Sequence, residues 1–113
     1  MEHRMKLRNK PFEQIKSNKK TIEMRLYDEK RKQIKEKDTI IFTNIETNEE
    51  LKVEVGKLYI FNNFEELYNY FDKKELGYAN EEASYKDMEA YYSKQKQKEY
   101  GVVGIKIKKQ TKN

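Results

Sequence analysis

The spacing of apolar positions changes several times along this chain, and each change predicts an element boundary. Met5 and Leu7 alternate with polar neighbours, which predicts a first strand over residues 3–8. Asn9-Lys10-Pro11-Phe12-Glu13 then opens a short helix. Asn9 is its natural cap, and Pro11 is tolerated in a first turn, where its missing N–H leaves no bond unmade. Phe12 and Ile15 give that helix one apolar face, and Asn18, which tolerates the left-handed conformation, is its exit. From Lys20 to Tyr27 the period becomes two. Ile22, Met24 and Leu26 point one way, and Thr21, Glu23, Arg25 and Tyr27 point the other.

Further along, Ile40, Ile41 and Phe42 form a strand, and residues 44–50 read as a hairpin loop. In the strand near 51–61 the phase slips. Leu51, Val53 and Val55 are apolar at odd positions, Leu58 and Ile60 at even ones, so a β-bulge is expected at Gly56-Lys57. Asn63, with Glu66 three residues on, caps a helix whose buried face is Phe64, Leu67, Tyr68 and Phe71. Ser84 and Asp87 repeat the pattern ahead of Tyr85, Met88 and Tyr92. A helical turn or two over 93–99 ends near Gly101, and Val103, Ile105 and Ile107 alternate in a last strand. The tail 109–113 is expected to fray. No repeat or linker interrupts the pattern, so residues 1–113 are read as a single α+β domain.

Composition narrows the function classes. Only 35% of residues are hydrophobic and 40% are charged, values that lean toward disorder, but nine Tyr and five Phe argue for a folded core. With no Cys and a single His, His3, the chain is expected to hold no disulfide, cysteine nucleophile or metal, and no cofactor is expected. No apolar run is long enough to span a membrane, which makes a cytoplasmic monomer the default expectation. Charge is segregated. Residues 1–37 carry 13 Lys/Arg against 6 Asp/Glu, residues 38–90 carry 5 against 13, and residues 91–113 carry 7 against 1. Two basic ends that met in space would make a polyanion-binding surface. Lys106, Lys108, Lys109 and Lys112 would extend it if the last strand lay beside the first.

The residues able to carry chemistry are Lys20, Glu23 and Arg25. Glu23 and Arg25 share one face of the strand about 7 Å apart, and Lys20 can swing over them. One carboxylate between two cations favours an ionised Glu23 and leaves a positive surplus for an anionic or carbonyl-bearing ligand. The competing expectation is an idle salt-bridge cluster on the solvent face of a strand.

Asn18-Lys19-Lys20-Thr21-Ile22-Glu23-Met24-Arg25 resembles the Gly-x-Lys-x-x-Glu-x-Arg signature of ASCH domains, relatives of the PUA RNA-binding barrel. A Pro-Phe helix before it, a Lys35-Glu36-Lys37-Asp38 turn after it and a Tyr-Gly-Val-Val-Gly-Ile final strand follow the same order over nearly the whole chain. Asn18 and Lys37 stand where the family has Gly. The resemblance implies a small β-barrel of five to six mostly antiparallel strands with peripheral helices, and a cleft where the signature strand meets a helix–loop segment. It implies RNA or a modified nucleoside as ligand, held by Lys20, Thr21, Glu23, Arg25 and Tyr27, with Tyr27 or another exposed aromatic stacking on a base. Some relatives are hydrolases acting on N4-acetylcytidine or RNA. A hydrolase built on this chain would use Glu23 as general base, Lys20 as stabiliser, and a second acid from the 75–87 loop such as Glu81 or Glu82. The amidohydrolase relatives carry Thr where this chain has Glu23, so binding is the leading expectation and turnover the alternative. An interaction domain without nucleic acid is a third. Tyr91 is expected to be the freer member of the Tyr91-Tyr92 pair.

Overall fold

A computed structural model describes residues 1–110. The order is β1 (Glu2–Leu7), α1 (Asn9–Lys16), β2 (Ile22–Leu26), a 3-10 turn (Arg31–Gln33), β3 (Thr39–Asn44), β4 (Glu50–Phe61), α2 (Phe64–Tyr70), α3 (Lys86–Glu89), α4 (Lys94–Tyr100) and β5 (Val102–Lys109). The five strands form one curled sheet in the order β1-β3-β4-β5-β2. β1 pairs with β3 in parallel and every other ladder is antiparallel. The edges β1 and β2 do not pair, so the sheet is a half-barrel with a seam between them.

Curvature comes from the expected place. The β4–β5 register slips between Val55 and Leu58, where Gly56-Lys57 forms the bulge. Val53 and Val55 before the slip, and Leu58 after it, then all reach the same inner core. That core also takes Met5, Leu7, Phe12, Ile15, Ile40, Phe42, Val103, Ile105 and Ile107. The outer face of β2 and β5 is covered by α2 and the segment after it: Ile22, Met24 and Leu26 pack with Phe64, Leu67, Phe71 and Leu76. Gly104 on β5 makes this approach possible, because a Cβ there would lie 2.9 Å from the Phe71 ring.

Several expectations need correction. Asn9 does not cap α1. Arg8 occupies the cap with no side-chain bond, and Asn9 is the first helical residue. The Asn9 side chain instead accepts from Asn44 Nδ2 at 2.9 Å, tying α1 to the end of β3. The strand read from Lys20 begins at Ile22, because Thr21 N–H and Ile22 N–H both donate to Glu75 O at 3.0 Å. Ser84 Oγ accepts from Lys86 N–H rather than from Asp87 N–H, which donates to Ser84 O, Tyr85 holds the cap position, and α3 is a single turn. The last strand lies between β4 and β2 rather than beside β1, so the surface imagined from β1 and β5 together does not form. Lys109, the first residue of the tail expected to fray, pairs with Val53, and its Nζ donates to Lys16 O at 2.6 Å. Residues 111–113 of the expected frayed tail, including Lys112, lie outside the described residues.

Other details hold. Asn63 accepts from Glu66 N–H at 2.9 Å at the start of α2, and Gly101 ends α4 with φ of 72°. Asn18 and Lys37 take φ of 63° and 75°, the left-handed backbone that glycine favours.

Candidate nucleic-acid interface

β2 is buried on both sides, and this decides the environment of the signature residues. Its apolar residues face outward onto α2, so the polar face turns toward the barrel interior. There Glu23 is paired in register with Ile105 and Arg25 with Val103, two inner-core residues. Glu23 is 2% exposed and Lys20 8%. The solvent-face salt-bridge expectation therefore fails: the cluster is buried.

Each side chain has a reason for its place. Lys20 N–H donates to Gln14 O at the end of α1, which sets Lys20 against the mouth of the seam. Its Nζ lies 3.2 Å from Glu23 Oε1. Arg25 Nε donates to Glu23 Oε2 at 2.7 Å, and Arg25 Nη2 donates to Lys6 O at 2.9 Å. Arg25 thus reaches from one unpaired edge of the sheet to the other and spans the seam. Burial pushes the Glu23 carboxyl up, but the charges of Lys20 and Arg25 and their hydrogen bonds outweigh it, and its pKa lies below the ordinary value. For Arg25, burial works against the charge while Glu23 and the Tyr92 hydroxyl favour it, and the balance raises its pKa. Two cationic side chains thus flank the one carboxylate and favour its charged form. Taking three charges out of water is costly, and such groups are weak evidence for stability. Perturbed charged groups gathered in a cleft point instead to a site.

That cleft, about 340 Å³, opens along the seam. Lys20, Glu23 and Arg25 form its floor, and Met24, Met88 and Pro11 give apolar walls. Lys6 and Arg8, at the end of β1, add two further cations, while Leu7, Ile45, Tyr91 and Tyr92 complete the lining. Four cations therefore face one carboxylate. Tyr92 is fixed, its ring stacked on Phe64 at 5.7 Å and its carbonyl accepting from the buried Gln97 Nε2 at 3.0 Å. Tyr91 is 59% exposed, with the Arg8 guanidinium 5.4 Å from its ring centroid.

Not every expected residue joins the cleft. Thr21 faces a different groove, beside the 74–80 segment, and its Oγ1 is buried without a partner among the described residues. Tyr27 packs on the inner core, with Lys32 Nζ 5.8 Å from its ring centroid, and does not line the cleft. Glu81 and Glu82 do not line it either. The Glu81 carboxylate accepts from Ala79 and Asn80 N–H, and these bonds, with the bond to its own backbone N–H foremost, hold its pKa low. Nothing in the sequence marks Lys6 or Arg8 as site residues, and Met88 reads there only as part of an apolar helix face. Strand order alone brings the end of β1 against β2, and only the excess of basic residues near the N-terminus hinted at it. Among the described residues no cluster of His, Asp or Glu has the makings of a metal site.

A larger depression, about 770 Å³, lies between the end of β4 and α4. Its Lys94 and Lys98 stand among Glu65, Glu89 and Glu99, and Gln97 is used up holding Phe64 N–H and Tyr92 O. Three carboxylates against two lysines leave it no surplus of positive charge, and among the described residues it holds no buried charged group, so chemistry favours the seam over size.

Residues 5–111 match the family model of the ASCH domain. The fold is similar to the crystal structure of the hypothetical protein PH0355, with a TM-score of 0.83, 35% identity, and 97% of this chain and 100% of that one covered. It is also similar to the solution NMR structure of protein PF0455 from Pyrococcus furiosus, with a TM-score of 0.72, 38% identity, and 99% and 100% covered. No curated protein matches the chain. Half-barrel, buried signature triad and a family match over nearly the whole length agree: the chain belongs to the ASCH domain family.

Proposed function

We propose that the seam cleft binds one unstacked nucleotide of single-stranded RNA, in keeping with the nucleic-acid association of the family. The observation that carries this reading is the buried Lys20–Glu23–Arg25 triad, two cations on one carboxylate, at the floor of a slot with Pro11, Met24 and Met88 among its walls and Lys6 and Arg8 at its mouth. A base is an apolar disc with a polar edge. Met24, Met88 and Tyr92 suit its faces, and Lys20 and Arg25 present donors to carbonyl or ring-nitrogen acceptors on its edge. Arg8 and Lys6 at the mouth suit a phosphate. Tyr91, rather than Tyr27, is the exposed ring positioned for stacking. A modified nucleoside would use the same floor.

Turnover has less support. A general base must take up a proton near the working pH, whereas the Glu23 carboxyl is held below its ordinary pKa and each of its oxygens already accepts from a cation. Lys20 and Glu23 are therefore assigned to ligand positioning rather than to catalysis.

Fluorescence anisotropy with labelled single-stranded RNA, and DNA of matched sequence, tests the reading at two salt concentrations. Lys20→Gln and Tyr91→Ala should each weaken RNA binding, the latter by about 1–3 kcal/mol if the ring stacks on a base. Both variants binding like the wild type, with affinity that simply fades with salt, would contradict it.

A further inference from the structure

We propose that the groove beside the cleft is a second nucleotide subsite, taking the neighbour of the nucleotide held in the seam; this rests on the RNA reading above. The groove has a volume of about 470 Å³ and runs between the end of α1 and the 74–80 segment. Chain order makes the two sites neighbours. Lys20 lines the cleft, while Lys19 and Thr21, on either side of it, line the groove. The partition between them is the Lys20 stem. A Cβ on Gly77 would lie 3.3 Å from Lys20 Cδ and 2.8 Å from Gln14 Oε1, so the Gly77 backbone rests directly on both side chains. Gly77 holds φ of 102°, which glycine alone adopts comfortably, and Gln14 Nε2 clamps its carbonyl at 2.7 Å. The groove is therefore preformed rather than a gap between loose loops.

Its chemistry suits a nucleotide. Lys19 and Lys74 are exposed and, among the described residues, neither makes an ion pair. The carboxylate in the lining, Glu75, lies 3.5 Å from Lys106 Nζ, outside the groove's own cations. Tyr78 contributes an aromatic wall whose position is fixed, because its hydroxyl donates to Asp87 Oδ2 at 2.7 Å and bonds the Tyr68 hydroxyl at 2.8 Å. Thr21, which lines the groove, has an Oγ1 that is buried with no partner among the described residues, a polar group that needs an explanation in a folded protein. A strand whose base enters the seam, with one phosphate at Arg8 and Lys6, would cross the partition with Lys19 and Lys74 placed to meet the next phosphate.

The test is the dependence of affinity on length. Uridine monophosphate, as a competitor, and uridine oligomers of two, three and four nucleotides are titrated against wild type and a Lys19→Ala/Lys74→Ala variant. Both substituted residues are exposed, so folding is not at stake. The wild type should gain about tenfold in affinity between one and two or three nucleotides. The variant should lose that step while keeping the mononucleotide affinity. Its slope of log affinity against log salt should fall by about 1.4, two phosphate contacts on a single strand. A length step that survives in the variant, or no step in a wild type that binds the mononucleotide, overturns the second subsite and leaves the cleft standing. No binding of any of these RNAs overturns the cleft reading and this inference together.

Discussion

Asp38 illustrates how single charges anchor the fold away from the cleft. Its Oδ2 lies 2.8 Å from His3 Nε2 and accepts from Lys35 N–H at 3.0 Å, closing the turn that carries Lys37. The His3 bond first, then the Lys35 N–H, lower its pKa from 3.8 to about 2. Because the folded-state value is depressed, the stabilisation is complete above the unfolded value and lost as pH falls through the folded one. Thermal melts should show Asp38→Asn with a lower Tm than wild type at neutral pH, the gap closing between pH 3.8 and about 2. A gap that does not change over that range would remove Asp38 from the account. The residues of the site were unevenly legible in the sequence. Lys20, Glu23 and Arg25 stood out by type and spacing, but their burial did not. Alternation separates two faces of a strand without saying which one is inside, and here both are. Tyr27 shares the phase of Glu23 and Arg25, yet it lies past the last residue of β2, where its N–H donates to Gly101 O at 3.0 Å and its ring leaves the cleft.

At the scale of elements, the placement of β2 depends on its neighbour β5. Gly104 lies opposite Met24, and its bare Cα lets Phe71 of the α2 end and Ile22 close over the outer face. A methyl group there would meet Phe71 at 2.9 Å and Ile22 at 3.2 Å. Gly104→Ala should cost about 1–3 kcal/mol in urea denaturation, because a packed ring or the strand itself must shift. An unchanged midpoint would mean that α2 is not held against β5 as described. Such contacts explain what sequence periodicity found and what it missed. The bulge at Gly56-Lys57 and the Asn63 cap are local events, written in neighbouring residues, and both appear as expected. The Asn9 cap fails because Asn44, thirty-five residues away, takes the Asn9 side chain. The start of β2 moves for the same kind of reason, since Glu75 O takes two N–H groups that would otherwise extend a ladder.

For the whole molecule, strand order is the fact that matters most. The β1-β3-β4-β5-β2 arrangement leaves the two edges facing one another across a seam, with Arg25 bonded across it and the cleft opening along it. No local pattern encodes that order, which is why the basic surface expected from β1 and β5 gave way to one built from β1 and β2. Charge segregation along the chain was real but incompletely informative. The acidic middle segment supplies no carboxylate to the cleft lining, where among the described residues the sole anion is Glu23 of the basic N-terminal stretch. The measurement that addresses the central claim most directly is a titration of isotope-labelled protein with a short single-stranded RNA, followed by amide and side-chain chemical shifts. The account predicts that the largest changes fall on Lys20, Arg25, Arg8 and Tyr91 around the seam, with the Lys20 and Arg25 side-chain signals moving together. Changes centred on the β4–α4 depression instead, or spread evenly over surface lysines, would contradict it.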